Sequence, residues 1–295
     1  MTTTPDAPTQ PSVAPGGTAR RRLRRGDQAG VFSYVVLTVT ALLFFFPFYY
    51  SLVAASHTPS DLYDGDPPLL PGPALFTNIG LALNQADLFE ALGRSLVVSG
   101  VVTASTVFFC TMAGFAFAKL SFRGRGALFG VTIATLTIPP TLGIVPLYVV
   151  MANLGLVNNL ASVILPAAVT AFGVFFMRQF ITQGLPDELI EAARVDGASM
   201  TRTLFSIVFP LCRPGMAVLG ILSFMASWND FLWPFIAVRN NPTIQVAVAG
   251  IGAGYTPNIA VILAGTVIAT VPLIVVTAIF GKQIVGGITS GAVKG

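Results

Sequence analysis

The chain has 295 residues, of which 54% are hydrophobic and only 9% are charged, and its formal net charge is +4. A soluble globular domain carries about 25% charged residues, so this composition excludes an ordinary soluble domain and indicates that lipid is the solvent. The two cysteines, Cys110 and Cys212, are expected in a span and on the cytoplasmic side, an arrangement that argues against a disulfide framework.

The first 30 residues are predicted to form a disordered, basic, cytoplasmic tail. Residues 1–19 are rich in Pro, Thr, Ala and Gly without an apolar period, and the run RRRLRR follows at Arg20–Arg25. The uncharged stretch 31–55 comes next. A signal peptide also combines a basic run with an apolar run, but its apolar region has about 7–15 residues. We therefore expect residues 31–55 to be an uncleaved first span.

Five further apolar runs are each long enough to cross about 30 Å of hydrocarbon as a helix. Because a helix satisfies its own backbone hydrogen bonds in lipid, the predicted fold class is all-α, a polytopic membrane protein with six transmembrane helices. The predicted spans, within one domain of residues 31–295, are 31–55, 95–118, 127–151, 161–180, 214–238 and 259–280. Pro139, Pro140 and Pro146 predict a kinked or partly unwound third span, and Pro166 and Pro234 predict smaller bends.

The basic residues orient these spans. Lys and Arg concentrate on the cytoplasmic side of membrane proteins, and a cytoplasmic amino terminus places 14 of the 16 basic residues inside. These are Arg20, Arg21, Arg22, Arg24, Arg25, Lys119, Arg123, Arg125, Arg178, Arg194, Arg202, Arg213, Lys282 and Lys294. Only Arg94 and Arg239 fall outside. The positive charge is therefore a topology signal, and no nucleic-acid partner is expected. Both termini are expected in the cytoplasm.

The longest cytoplasmic connection, residues 181–213, is called the insert below. Pro186 followed by Asp187 and Glu188 predicts a helix start, because negative charge favours the first turn. Gly197 predicts a turn, and a second short helix is expected over 200–209, ended by Pro210. An amphipathic helix lying on lipid normally has a basic polar face. The first insert helix is acidic and is expected to expose two small residues, Ala192 and Ala193, so a protein partner fits better than headgroups.

The insert also carries the motif that resembles a known family. Glu191-Ala192-Ala193, Gly197, Ile207 and Pro210 match, in type and spacing, the signature of membrane subunits of bacterial ATP-binding-cassette (ABC) importers. Phe209 stands where Leu is usual in that signature. The stretches PLYVVMANLGLVNNLASVILP and WNDFLWP and the ending GAVKG resemble the second permease subunit of maltose-type carbohydrate importers. The resemblance covers nearly the whole chain and implies the type I ABC importer permease fold.

The resemblance implies that the insert contains a coupling helix that docks in a cleft of a separate ATPase subunit. Glu191 would pair with a basic group there, Ala192, Ala193, Asp196, Ile207 and Pro210 would belong to the same site, and Gly197 would allow the bend. The implied partners are a second permease subunit forming a heterodimer, a dimer of ATP-binding subunits and an extracytoplasmic sugar-binding protein. The 239–258 connection and the tail after Gly281 match segments that reach the binding protein and the ATPase subunits.

Chemistry on this chain itself is not expected. No Gly-x-x-x-x-Gly-Lys-Ser/Thr loop occurs, so ATP and Mg²⁺ are expected on the partner ATPase and no cofactor on this chain. With His57 as its one histidine, the sequence offers no metal cluster. The chain is therefore interpreted as a permease of the bacterial cytoplasmic membrane, not an enzyme.

Asp230 is the one acidic residue in the predicted spans, and intramembrane carboxylates are candidates for function. Trp228, Asn229 and Asp230 are candidates for the substrate pathway, with Trp228 or Trp233 as an aromatic face. A hydrogen bond in helix packing between subunits is the other interpretation of Asp230.

Three alternatives remain at this point. An ion-coupled secondary transporter using Asp230 would leave the insert unexplained, and no internal repeat is obvious. A membrane-embedded enzyme would need a polar catalytic cluster in the spans. A permease for an anion such as glycerol phosphate would favour basic groups well inside the spans, so a neutral sugar is expected. The ending and the GYTPN loop resemble permeases for disaccharides such as cellobiose.

Overall fold

The structure, a computed structural model, describes residues 30–63, 66–253 and 257–292, with the backbone alone for 282–292. Every regular element in these residues is a helix, so the all-α prediction is confirmed. The helices in chain order are α1 Val31–Ala55, α2 Pro59–Tyr63, α3 Leu75–Gln85, α4 Leu88–Lys119, α5 Arg125–Thr135, α6 Ile144–Asn153, α7 Ala161–Ala167, α8 Ala171–Gly184, α9 Asp187–Val195, α10 Met200–Thr203, α11 Phe209–Leu211, α12 Arg213–Trp228, α13 Leu232–Ala237, α14 Ile244–Ile251 and α15 Ile259–Ala292.

The described residues divide into two units between Pro47 and Phe48. The first unit contains the uncharged start of α1, whose side chains are exposed. The second unit contains the end of α1 and all the other helices. Residues 1–29 of the predicted tail, which extends to residue 30, lie outside the described residues.

Four helical stretches of the described chain are long and apolar enough to cross a membrane: Val31–Ala55, Leu88–Lys119, Ala161–Gly184 and Ile259–Gly281. Two bent helix pairs reach the same length together, which brings the number to six if each pair is one span. Arg125–Thr135 and Pro140–Asn153 form the first pair, and they meet at 96°. The bend begins at Pro139 and Pro140, where the predicted third span contains its prolines.

The second pair differs from the predicted fifth span. It joins Met200–Leu211, which lies inside the insert, to Arg213–Trp228 at 76°. The sequence predicts a fifth span from 214 to 238, but α12 ends at Trp228 and a short α13 follows only at Leu232. The backbone N–H groups of Leu232 and Trp233 interact with the Asp230 carboxyl group, as expected for an acidic residue that competes with helical bonding and restarts a helix. Pro234 falls in the first turn of α13, where no helical donor is required.

Three clusters of buried side chains organise the described part of the second unit, and the smallest packs α4, α7 and α13 around Val98, Val163 and Ala237. The insert cluster packs α4, α8, α12 and the insert, and its buried members are Cys110, Phe115, Val174, Met177, Ile181, Leu185, Ile190, Leu204, Val208, Cys212 and Leu219. The loop cluster packs α3, the start of α4, the end of α12, α14 and α15 around Leu88, Trp228, Ile244 and Val261.

Close helix approach between α4 and α8 depends on Gly114. A Cβ atom added there would lie 2.8 Å from both the Met177 Cβ and the backbone nitrogen of Arg178. Small residues at such positions let two helix backbones approach closely. The α4–α8 pair that supports the insert is therefore tightly packed along its contact.

The 239–258 connection contains helix α14, and its beginning is bonded to a second connection. Ile244, Val246, Ala247 and Val248 of α14 are buried, and Asn158 ties its beginning to the short connection 154–160. The Asn158 side-chain oxygen accepts from the Asn240 backbone N–H at 3.1 Å, and its carbonyl accepts from the Asn241 side chain at 2.9 Å. Residues 254–256 of this connection lie outside the described residues.

Candidate coupling site

The insert folds as helix, turn and helix, as the sequence predicts. Pro186 precedes α9, and Asp187 and Glu188 occupy its first turn, where carboxylates interact favourably with the helix dipole. The second helix extends over Met200–Leu211 and begins at Ser199, whose hydroxyl accepts from the Arg202 backbone N–H at 3.3 Å. Both insert helices therefore begin at residues that favour a helix start.

Gly197 makes the turn between the two insert helices. Its φ is +73°, in the left-handed region that favours glycine. The Ala198 N–H donates to the Ala193 carbonyl at 2.9 Å, and the Gly197 N–H donates to the Arg194 carbonyl at 3.0 Å. This pair of bonds is the Schellman motif, which ends α9 in one defined geometry. The resulting bend is fixed by hydrogen bonds.

Pro210 does not end the second helix, so that prediction is wrong. The segment Leu204–Val208 is π-helical, and the Phe209 N–H bonds to the Leu204 carbonyl. A π-helical hydrogen bond joins residues five apart instead of four. The helix therefore contains one extra residue in the turn just before the proline. The helix then continues to Leu211 and bends at Cys212.

One side of the insert is buried against its own chain. Ile190, Leu204 and Val208 belong to the insert cluster. Ala193 is 5% exposed, so the expectation that it faces a partner is wrong, because it lies three residues after Ile190 on the same helix face. Ile207 is half-buried and Pro210 is exposed.

The opposite side of the insert is solvent-accessible and mostly acidic. The exposed residues include Glu188, Glu191, Ala192, Asp196 and Gly197. Val195 is 87% exposed, which gives this side an apolar point beside the carboxylates. Among the described residues, ion pairs occur at Glu90–Arg94 and Lys119–Asp187. Glu191 and Asp196 therefore take part in no ion pair within the described chain.

Lys119, the last residue of α4, holds the start of the insert. Its ammonium group lies 2.5 Å from the Asp187 carboxylate and 2.5 Å from the Leu185 carbonyl oxygen. The Lys119 side chain is only 6% exposed. The sequence identifies Lys119 only as a topology signal, since its partners lie far along the chain.

The three substrate-pathway candidates lie together at the end of α12 but in different environments. Trp228 is 1% exposed, and its indole N–H donates to the Ala269 carbonyl at 3.1 Å. Asn229 is exposed and donates to the Met225 carbonyl at 2.8 Å, and Asp230 is half-buried. Trp233 likewise donates to the Ser162 carbonyl at 2.9 Å. Trp228 is buried and offers no open aromatic face, whereas Trp233 is half-buried.

Replacing Trp228 with phenylalanine is expected to destabilise the protein without changing its affinity for solute. The Ala269 carbonyl would lose its donor in a buried environment, at a cost of about 1–3 kcal/mol. We expect a lower melting temperature in detergent and an unchanged KM for transport. Asn229→Ala, at the exposed neighbouring position, serves as the comparison. A raised KM for Trp228→Phe at an unchanged melting temperature would instead place Trp228 against the solute.

Comparison with known proteins identifies the family. Residues 107–289 match the family described as binding-protein-dependent transport system inner membrane component. The arabinooligosaccharides transport system permease protein AraQ of Halalkalibacterium halodurans is 36% identical over 83% of this chain and 90% of its own length. The lactose transport system permease protein LacG of Rhizobium radiobacter is 32% identical over 94% of this chain and 99% of its length. The sn-glycerol-3-phosphate transport system permease protein UgpE of Yersinia pestis is 32% identical over 90% and 97%.

A solved structure shows the same fold. A chain of a bacterial ABC transporter involved in the import of the acidic polysaccharide alginate superposes with a TM-score of 0.75 at 22% identity, covering 86% of this chain and 95% of that one. The predicted importer permease fold is thus confirmed, whereas an ion-coupled transporter finds no support. With its apolar helices, its motif and its relatives, this multi-pass membrane chain belongs to the inner membrane components of binding-protein-dependent transport systems.

Proposed function

We propose that this chain is one of two permease subunits of an importer for a neutral carbohydrate, driven by ATP hydrolysis on a separate dimer of ATPase subunits. An extracytoplasmic binding protein would deliver the solute. The observation that carries the proposal is the insert itself, which presents exposed carboxylates on a helix pair whose other side is buried against the spans. ATP and Mg²⁺ would bind to the ATPase subunits and not to this chain.

The insert is suited to transmit force because it is short and held at several points. Bonds around Gly197 fix the angle between its helices, and Lys119 bonds to Asp187, the first residue of α9. When the docking cleft of the ATPase moves, a rigid element docked in it moves the spans with it. A flexible loop would not transmit this movement. In this proposal Glu191 and Asp196 pair with basic groups of the ATPase, Ala192 permits close approach, and Ala193 positions the helix from its buried side.

The insert must lie in the cytoplasm for this proposal, since ATP is there. The distribution of basic residues supports that placement, with both termini inside as well. The helix pair Met200–Leu211 with Arg213–Trp228 then leads from the cytoplasmic face into the membrane at its 76° bend.

Support for a neutral carbohydrate comes from the relatives and from the charges of the spans. Two of the three relatives are named for sugars and one for glycerol 3-phosphate. Three basic residues of the described spans already contact other groups of this chain. Arg94 and Lys119 lie towards the ends of α4 and bond to carbonyl oxygens of this chain. Arg178 lies with its guanidinium carbon 4.1 Å from the centre of the Phe129 ring. A panel of lactose, an arabino-oligosaccharide and glycerol 3-phosphate would separate a neutral solute from an anionic one.

Reversing the charge of Glu191 is the direct test of the coupling role. The complex is purified through a tag on this chain and reconstituted with its loaded binding protein, and ATP hydrolysis is measured. Glu191→Arg places a cation where a basic partner group is expected, and like charges repel. We expect the stimulation of hydrolysis by binding protein to fall about tenfold or more, within the usual range of coupling energies.

Glu188→Arg, which makes the same charge change three residues earlier, is the matched control and is expected to have a smaller effect. Equal stimulation in wild type and Glu191→Arg would remove the proposed role of this residue. Transport by this chain alone on a proton gradient, without ATP, would overturn the proposed function as a whole.

A further inference from the structure

Helix α4 of the second unit joins the insert to the 239–258 connection. Helix α4 has 32 residues without proline and would be about 48 Å long at 1.5 Å per residue. Buried side chains occur along it from Leu88 to Phe115, so it is supported over most of its length. Its two ends make side-chain bonds to two different connections.

At one end, Lys119 bonds to the insert. Its ammonium group contacts both the Asp187 carboxylate and the Leu185 carbonyl, and it is nearly buried. The Asp187 side chain is exposed, so the shielded part of this contact is the Lys119 ammonium group and its charge-assisted bond to the Leu185 carbonyl. The bond joins the last residue of α4 to the first residue of α9.

At the other end, Arg94 and Ser95 bond to the 239–258 connection. The Arg94 Nε donates to the Pro242 carbonyl at 3.1 Å, and the Ser95 hydroxyl accepts from the Ile244 backbone N–H at 2.8 Å. Arg94 and Ser95 are adjacent in α4, and they bond to residues just before and at the start of α14. Ser95 is buried, so this joint is also shielded from solvent.

The other helices that adjoin the insert do not run this far without interruption. Helix α8, which leads into the insert, has 14 residues and starts after a break at 168–170. Helix α12, which leaves the insert, has 16 residues and ends at the break 229–231. Unlike α8 and α12, α4 continues unbroken from the insert to the 239–258 connection.

We propose that α4 is a strut that transmits movement of the insert to the 239–258 connection, with Lys119 as its inner joint and Arg94 and Ser95 as its outer joint. This inference rests on the proposed function, since the insert must first be moved by an ATPase. Lys119, Arg94 and Ser95 are positioning residues that contact neither nucleotide nor solute. The strut makes the state of the ATPase detectable on the opposite side of the membrane.

The test measures the outer connection directly and needs no solute. Asn240 is exposed, and Asn240→Cys gives a thiol there that a maleimide labels, whereas Cys110 and Cys212 are buried. The tagged complex in lipid nanodiscs is labelled with ADP or with ATP and EDTA, which prevents hydrolysis. We expect the labelling rate to depend on the nucleotide in this background.

Lys119→Met in the same background is expected to reduce the nucleotide-dependent change in labelling rate about fivefold or more. Lys119→Arg, which retains a cation and its donors, is expected to restore it. Ser95→Ala combined with Arg94→Gln is expected to reduce the nucleotide-dependent change by the same factor. Adding Lys119→Met to this pair is expected to reduce it no further. Substitutions at sites this far apart normally have additive effects. A non-additive result would show that Lys119 and the Arg94–Ser95 pair act on the same transmission path.

Ser105→Ala is the matched control, because the Ser105 hydroxyl bonds to Val101 and Val102 of its own helix. A nucleotide-dependent change that survives Lys119→Met undiminished overturns the strut while leaving the proposed function intact. No nucleotide effect on labelling in the wild-type background, while ATP hydrolysis still responds to binding protein, also overturns the strut. If Lys119→Met fails to assemble, Asp187→Asn is measured instead, and an undiminished response there overturns it equally.

Discussion

Val208→Asp is expected to release the insert from the spans and to abolish coupled transport. Val208 is 0% exposed within the insert cluster, beside Leu204, Cys212 and Leu219. A carboxylate there loses its hydration without gaining a partner, and the valine contacts disappear as well. The combined cost is about 3 kcal/mol or more. Limited proteolysis should then cut the insert, and the melting temperature of the complex should fall.

Val195→Asp is the matched control, since the chemical change is the same at a position that is 87% exposed. This variant should keep the wild-type melting temperature and resist proteolysis. If the exposed side of the insert docks on an ATPase subunit, Val195→Asp should nevertheless lower stimulated ATP hydrolysis. A protease-resistant Val208→Asp variant with normal transport would show that the insert does not depend on this packing.

Gly197→Val is expected to disrupt the angle between the two insert helices while leaving the spans folded. A left-handed conformation costs a residue with a Cβ about 1–2 kcal/mol, and a β-branched residue is especially poorly suited to it. No atom would lie within 4 Å of a Cβ atom added to this glycine, so the cost comes from the backbone and not from a clash. We expect assembly of the complex to persist and the ratio of solute transported to ATP hydrolysed to fall.

Gly197→Asn separates backbone conformation from other effects, because asparagine tolerates the left-handed region better than other residues. This variant should retain most of the coupling that Gly197→Val loses. Equal loss in both variants would indicate that a partner requires the bare glycine surface, and equal retention would remove the turn from the mechanism.

The sequence predicts the helices well where one physical signal dominates. Long uncharged runs such as 31–55 have few stable structures in lipid other than a helix, and α1 begins and ends at those residues. The turn at Gly197 also follows from local chemistry, because a glycine after an amphipathic helix favours a left-handed end. Prolines at 139 and 140 predict the bend of the third span for the same kind of local reason.

Features that depend on distant partners are not predictable in this way. Lys119 and Asp187 are far apart in sequence, and a basic residue at the end of an apolar helix already has an explanation as a topology signal. The irregular apolar pattern of α9 does not reveal that Ala193 points inward with Ile190. In a uniformly apolar segment, a tryptophan does not indicate which face of the helix is buried. The burial of Trp228 is therefore seen only in the packing of α12 on α15.

The break at 229–231 has Trp228 on one side and Trp233 on the other, and these are the two tryptophans of the whole chain. One indole bonds to Ala269 of α15 and the other to Ser162 of α7, so each side of the break is fastened to a different helix. Indole emission depends on the polarity and hydrogen bonding around the ring. The native protein therefore contains its own pair of fluorophores across this break, and any movement during transport that breaks either indole hydrogen bond would change the emission without an added label.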